Sequence, residues 1–244
     1  MNESVYKARL ELFKTLNLPV SKADMKRLRW RQRGRLLFWE SALNSLLIIK
    51  RAMDIVASVV AILLFSPVFL ITALAIVIED GWPVLYTQSR VGINGRVFNF
   101  YKFRSMRRDA DRIKEQLMDQ NESGDGVIFK MKHDPRITRV GRFIRRFSID
   151  ETPQFFNVLT GDLSIVGPRP PIPSEVAQYT LEDRKRLHVK PGLTCLWQIG
   201  GRSDIPFDQQ VNLDLEYIHS RSIWNDIRIM LKTVPAVLLG RGAY

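Results

Sequence analysis

The 244-residue chain predicts a mostly helical α+β fold, that of a monotopic membrane protein, with a re-entrant helix-break-helix, a small β-hairpin and amphipathic helices at the membrane interface. Three observations lead there. The stretch from Ile55 to Ile78 is apolar, carries Ser66-Pro67 near its middle and has strongly basic sequence on both sides. Two strand-like runs flank Asn94-Gly95, and residues 137–147 alternate apolar with basic side chains.

About 20 apolar residues cross a bilayer at roughly 1.5 Å rise each, so Ile55–Ile78 is long enough. Charge argues against a simple span. Residues 1–51 hold 12 basic and 4 acidic side chains, and residues 81–244 hold 25 and 18. The positive-inside bias therefore draws both flanks to one face, although it weakens for a large following domain. Pro67 removes a backbone donor and clashes four residues back, while the Ser66 hydroxyl is able to bond a freed carbonyl in lipid. The segment then enters one leaflet and returns. An ordinary spanning helix with a tolerated proline kink is the other reading of the same residues.

Ahead of this stretch, residues 5–18 read as a short amphipathic helix ending at Pro19, and residues 22–36 are dense in Lys and Arg with Trp30 and Trp39 nearby. That composition suits a headgroup surface, or a solvated helix making oligomer contacts, so a homodimer is one partner this region allows. The chain divides into a basic extension over 1–45, a re-entrant membrane helix over 46–80 and one soluble domain over 81–244. At the start of the apolar run, Arg51 and Asp54 lie three apart, a spacing that permits an ion pair at the lipid boundary.

Net charge of +12 and a pI near 10.1 favour anionic partners: lipid headgroups, nucleic acid or a phosphorylated substrate. The apolar segment points to the first and third. A hydrophobic content of 45% supports a real core. No cleavable signal peptide is expected, because the amino terminus is polar and the apolar run lies deep. The single Cys195 excludes an internal disulfide and suits a reducing compartment. His133, His188 and His219 have no metal-ligand spacing and read as structural.

Beyond Glu79-Asp80-Gly81 the pattern changes. Residues 84–87 and 97–103 read as strands joined through Asn94-Gly95, a β-hairpin signal. Residues 106–120 read as a polar helix and 121–126 as a mobile, lid-like loop. Residues 137–147 form an amphipathic basic helix. Helices follow at about 151–159, 174–188, 206–221 and 223–239, with a Gly/Pro-rich stretch over 161–173 and a loop-rich piece over 191–201. The last helix is very apolar, as for a helix resting on lipid.

The chemistry concentrates in Ser148-Ile149-Asp150-Glu151-Thr152-Pro153-Gln154, just after the arginines at 139, 142, 145 and 146. Two adjacent carboxylates at a helix start serve a nucleophile and a metal, because the positive helix end favours ionised carboxylate and bound phosphate. A structural reading competes. Ser148-x-x-Glu151 has the form of a capping box, and Thr152-Pro153 that of a cap with proline at the first helical position.

A series of motifs shifts the balance. Lys50-Arg51-x-x-Asp54, Ser66-Pro67, Tyr86-Thr87-Gln88-Ser89-Arg90-x-Gly92, Tyr101-Lys102-Phe103-Arg104-Ser105-Met106, Asp150-Glu151-x-Pro153-Gln154, Gly161-Asp162-Leu163-Ser164, Gly167-Pro168-Arg169-Pro170 and Pro191-Gly192-Leu193-Thr194 stand in this order. From about Lys50 onward the chain resembles the bacterial sugar transferases, monotopic polyprenyl-phosphate phosphoglycosyl transferases. The extension departs from the minimal family pattern.

That resemblance implies transfer of a sugar 1-phosphate from a UDP-sugar to polyprenyl (undecaprenyl) phosphate, with release of UMP, at the cytoplasmic face of the bacterial inner membrane. The products feed exopolysaccharide, capsule or O-antigen synthesis. It implies Asp150 as nucleophile on the β-phosphorus, forming an aspartyl phosphosugar, and Glu151 beside it with a bound Mg²⁺, both carboxylates being metal ligands. Lys102, Arg145 and Arg169 fall to phosphate or nucleotide contacts. The chemistry agrees: a carboxylate attacking a diphosphate needs cations to neutralise the phosphate oxygens, and those cations are expected to lower the pKa of Asp150. Glucose or galactose is the expected sugar.

Other positions carry two readings. Gly167-Pro168-Arg169-Pro170-Pro171 presents Arg169, backed by Pro170, to a phosphate, or is a turn between helices. Asp162 caps a turn or joins the site. Arg202 contacts nucleotide or sugar, or neither, and Trp197 with Cys195 tunes a sugar pocket or packs. Two other functional classes remain: a nucleic-acid-binding protein, which has the charge but no recognition motif, and a noncatalytic membrane scaffold for polysaccharide assembly.

Overall fold

The computed structural model describes residues 22–110, 112–113, 134–201 and 205–238. The helix expected at 106–120 and the loop at 121–126 lie largely or wholly outside them. Contacts divide the chain into a unit ending at Ile49 and a second unit from Lys50 to Tyr244.

Helix α1 runs from Lys22 to Asp80 with Pro67 inside it. Its part from Ser45 to Asp80, 36 residues, is long and apolar enough to cross a membrane. Pro67 has no N–H for the carbonyl of Leu63, four residues back. The Ser66 hydroxyl donates to that oxygen instead, at 2.8 Å. Helical structure continues through Ser66-Pro67. One side of this segment is bare: Leu63, Leu64, Leu70, Ile71, Leu74 and Ile78 are all exposed. On its other side Asp54, Ser58, Thr72 and Ile76 are buried.

The hairpin forms as the sequence predicts. Strands β1 (Leu85–Val91) and β2 (Val97–Phe103) pair antiparallel, with Tyr86 opposite Lys102 and Arg90 opposite Phe98. Asn94 and Gly95 take φ of 54° and 81°, left-handed values that these two residue types adopt readily. Helix α2 (Arg139–Arg146) realises the basic amphipathic segment, with Phe143 outward and Ile144 buried. Its first amides, those of Arg139 and Val140, donate to the two carboxylate oxygens of Glu79, each at 2.8 Å. An anion at a helix start is favourable, so the last turn of α1 caps α2.

A short 3-10 turn, Ile149–Glu151, leads into α3 (Gln154–Thr160), which ends at Gly161 with φ of 92°. Strand β3 (Ser164–Val166) then pairs parallel with β4 (Gly192–Thr194), a pairing the sequence did not suggest. The strands come so close that a Cβ on Gly192 would strike the Gly167 backbone. The helix expected over 174–188 is two pieces, α4 (Pro173–Ala177) and a 3-10 helix, Asp183–His188. Between them the Thr180 amide donates to Asp183 Oδ2 and the Asp183 amide to Thr180 Oγ1, a reciprocal pair that starts a new helix. Helices α5 (Leu196–Gly200), α6 (Phe207–His219) and α7 (Ile223–Leu238) complete the described chain.

Two apolar clusters carry the second unit. Phe98, Phe100, Val158, Leu163, Val166 and Ile229 belong to one, and Ile76, Val84, Phe103 and Ile144 to the other. Charged residues near the start of the apolar run fasten it to this body. Lys50 Nζ lies 3.3 Å from Asp54 Oδ1 and 2.8 Å from Asp226 Oδ2. Asp54 Oδ1 also accepts from Ser164 Oγ and Ile165 N, both at 3.1 Å. Arg51 does not pair with Asp54; it donates to Val158 O and Leu159 O at 2.5 and 2.7 Å. The reason is a competing demand, since the last carbonyls of α3 have no helical partner, and Lys50 reaches Asp54 at i,i+4.

Candidate active site

Asp150 and Glu151 stand in the 3-10 turn between α2 and α3, just after a sharp bend at Ser148, whose φ is 54°. Neither capping role read from the sequence is present. Ser148 makes no side-chain cap, the Thr152 hydroxyl donates backward to Ile149 O at 2.7 Å, and Pro153 occupies the cap position of α3. The left-handed bend aims the Ser148 side chain out of capping geometry.

Strand β2 brings Lys102 to this turn. Lys102 Nζ donates to Glu151 Oε1 at 2.7 Å, where the lysine side chain is 24% exposed and the glutamate side chain 36%. The strand is held there by Asn157 of α3, which sequence reasoning missed. Its Oδ1 accepts the Tyr101 amide at 3.1 Å and its Nδ2 donates to Asn99 O at 2.7 Å, completing the open edge of β2 with a side-chain amide. The only sequence signal is its place four residues after the Pro153 of the carboxylate motif.

The two carboxyls have opposite electrostatics. Burial pushes Asp150 up to about 6; Lys102 and Arg145 pull against it, and the Glu151 charge adds to it. Cations were expected to dominate here, but Asp150 is only 7% exposed, and loss of solvation outweighs them in the protein without metal. Burial also works to raise Glu151. The Lys102 ammonium and its hydrogen bond outweigh that, with Arg169 and Arg90 assisting, and hold Glu151 below its usual range.

Arg169 approaches from the loop after β3. Its Nη1 lies 3.6 Å from Oε1 of the buried Glu175, and the field of Arg169 reaches Glu151. Pro170 is buried, and its carbonyl accepts from Arg90 Nη1 at 2.8 Å. Arg145, in the last turn of α2, acts electrostatically on Asp150. Lys102, Arg145 and Arg169 thus each act on one or both carboxyls. Asp162 does not join them; its Oδ2 takes the Thr160 hydroxyl at 2.8 Å. Trp197 and Cys195 are buried. Arg202 lies outside the described residues.

Among the described residues no group of three or more His, Cys, Asp and Glu is placed to hold a metal. Asp150 and Glu151 supply two hard carboxylate donors. Mg²⁺ commonly takes one or two carboxylates and completes its shell with substrate phosphates and water, so the donor set fits that mode.

A profile of the family described as bacterial sugar transferase matches residues 45–240. The chain is 50% identical to galactosyl transferase CpsE of Streptococcus agalactiae over 200 residues, 81% of this chain and 44% of the relative. To undecaprenyl-phosphate galactose phosphotransferase of Salmonella typhimurium it is 43% identical over 199 residues, 80% of this chain and 42% of the relative. With exopolysaccharide production protein ExoY of Rhizobium meliloti the identity is 40% over 198 residues, 80% of this chain and 88% of the relative. It thus spans less than half of the first two relatives and most of the third. On the extent of that match, with its carboxylates and basic residues in place, the chain belongs to the bacterial sugar transferase family.

Proposed function

We propose that this protein transfers a hexose 1-phosphate from a UDP-sugar to undecaprenyl phosphate and releases UMP, a first membrane step in making exopolysaccharide, capsule or O-antigen. The observation that carries this reading is the buried Asp150 beside a Glu151 that Lys102 keeps ionised. The name of the Salmonella relative specifies undecaprenyl phosphate and galactose, which makes UDP-galactose the first donor to try, with UDP-glucose beside it.

In this mechanism an oxygen of the Asp150 carboxylate attacks the β-phosphorus of the donor. The bond from that phosphorus to the oxygen bridging it to the α-phosphorus breaks, and UMP leaves. An oxygen of the lipid phosphate then attacks the same phosphorus, and Asp150 departs as a carboxylate. Arg169, Arg145 and Lys102 offset the charge of the phosphate oxygens, where such electrostatic support is strongest in a desolvated site. Mg²⁺ held by Asp150 and Glu151 would supply further neutralisation of the diphosphate. Covalent transfer also lets a soluble donor and a lipid acceptor use one site in turn.

The membrane arrangement is part of the proposal. Near its start the Lys50–Asp80 segment is fastened by Lys50, Arg51 and Asp54, and at its end by Glu79 and by Asp80, whose Oδ2 lies 3.0 Å from Arg104 Nη2. Both attachments are to the same compact unit. A segment tied at both of these points to one body is not free to carry them to opposite faces of the bilayer, which supports entry and return on the cytoplasmic side, bent at Pro67. Exposed Trp224, Leu231 and Val234 of α7 offer a second lipid contact.

A UMP-release screen over UDP-sugars, with undecaprenyl phosphate and Mg²⁺, tests the reaction. The expected result is turnover with one hexose donor, and exchange of labelled UMP into that donor when the lipid is withheld. Absence of UMP from every donor, or full exchange by Asp150→Asn, overturns it.

A further inference from the structure

Arg90 lies on β1 and is 6% exposed, yet among the described residues no carboxylate is ion-paired with it. Its Nη1 donates to Pro170 O and its Nη2 to Gln88 Oε1, both at 2.8 Å, and its buried Nε has no hydrogen-bond partner. A guanidinium buried without a carboxylate in direct contact is costly, although the charges of Glu175 and Glu151 reach it. What it holds explains its place.

The loop it reaches is poor in donors. Pro168, Pro170 and Pro171 have no N–H, so this stretch cannot fix itself by its own backbone ladder and depends on donors from elsewhere. Strand β1 supplies two: Arg90 to Pro170 O, and the Val91 amide to Pro171 O at 2.9 Å. On the far side Glu175 accepts the Ile172 amide at 3.2 Å through Oε2 and faces Arg169 through Oε1. Arg169 therefore sits on a loop clasped on both sides. The Phe100 ring meets both cations, with the Arg90 guanidinium carbon 5.2 Å and Lys102 Nζ 5.5 Å from its centroid.

We infer that Arg90 is a positioning residue, which by its bond to Pro170 O sets the loop so that Arg169 meets the phosphates of the sugar-nucleotide donor. This rests on the proposed reaction for its catalytic consequence, though the clasp itself does not. Its two terminal nitrogens are engaged by Pro170 O and Gln88 Oε1, so its hydrogen bonds act on the loop that carries Arg169. Lysine in its place keeps the charge and loses the planar fork, so it separates position from charge.

The test uses the full chain in detergent, with Arg90→Lys, Arg90→Met, Arg169→Met and the double variant Arg90→Met/Arg169→Met. Arg90→Lys is expected to raise KM for the UDP-sugar about tenfold while kcat stays within about twofold, because a misplaced phosphate contact weakens donor capture. The double variant is expected to be no worse than Arg169→Met alone, since residues acting through one contact are non-additive. A merely structural arginine would lower the active fraction, hence kcat, and leave KM alone. Unchanged KM in Arg90→Lys, or losses that multiply in the double variant, overturns the inference. Hydrogen exchange judges the clasp without turnover. Faster exchange of the Val91 amide in Arg90→Lys, with Tm unchanged, supports it, and unchanged exchange overturns it. Wild-type protein that turns over no UDP-sugar defeats the proposed reaction, and the exchange result still decides the clasp.

Discussion

Lys102 and Glu151 meet at 2.7 Å across 49 residues of chain, joining β2 of the hairpin to the turn that carries Asp150. The contact keeps one carboxylate ionised beside a second that burial pushes toward neutrality. Adjacent carboxyls with pKa values driven apart are suited to different tasks.

Removing the lysine tests that division. Lys102→Met leaves Glu151 without its nearest cation, and kcat for UMP release is expected to fall on the order of 10²-fold, as when one preorganised electrostatic contact is lost. The acidic limb of the pH–rate profile should move to higher pH, because Lys102 draws both carboxyls down and Asp150, the higher of the two, must be ionised to attack. A profile with an unmoved limb would count against the contact.

Asp150 itself is expected to trade stability for activity. Its folded pKa, about 6, is above the ordinary 3.8, so the folded state binds this proton more tightly than the unfolded chain does. Stability from this group is therefore present at low pH and is lost as pH rises from about 4 through about 6. In metal-free buffer at pH 8, Asp150→Asn should be inactive yet more stable than wild type, on the order of 3 kcal/mol. Below pH 4 the difference should vanish. Thermal unfolding at both pH values checks the sign.

Mg²⁺ should act on the same proton. A cation held by Asp150 and Glu151 favours ionised carboxylates, so the Asp150 titration midpoint should fall from near 6 when Mg²⁺ is added. Carbon NMR of protein labelled at aspartate carboxyls, with and without Mg²⁺, reads this directly. A midpoint that ignores Mg²⁺ would remove Asp150 from the metal site.

At the membrane junction, Lys50→Met leaves Asp54 and Asp226, 2% and 3% exposed, without the cation they share. Breaking such a buried set costs about 3 kcal/mol or more. Denaturation in detergent should show the loss, and Lys50→Arg should recover part of it.

Pro67→Ala restores the N–H that Leu63 O lacks and removes the local cause of the proposed bend. In wild type, a cysteine replacing Asn2 should stay protected from an impermeant thiol reagent in intact cells. In the Pro67→Ala background that cysteine should label more. Labelling in wild type would favour the spanning helix.

Much of this was legible in the chain itself. Asn94-Gly95 determined the hairpin because few residue pairs take two successive left-handed conformations cheaply. The apolar run marked the helix long and apolar enough to cross a membrane, and the ordered motifs marked the family. These are local signals: turn chemistry, periodicity and adjacent charges are written in neighbouring residues.

Tertiary structure decided what neighbours could not. Ser148 looked like a cap until its left-handed bend turned its side chain elsewhere, and Arg51 looked like a partner for Asp54 until the end of α3 claimed it. Arg90 and Asn157 carried no local mark of their roles, because each acts on backbone far along the chain, at Pro170 and at Asn99 and Tyr101. The pKa of Asp150 is the clearest case. The sequence determined which cations stand near it, but desolvation depends on how completely the fold encloses the carboxyl, and that quantity exists only once the chain has packed.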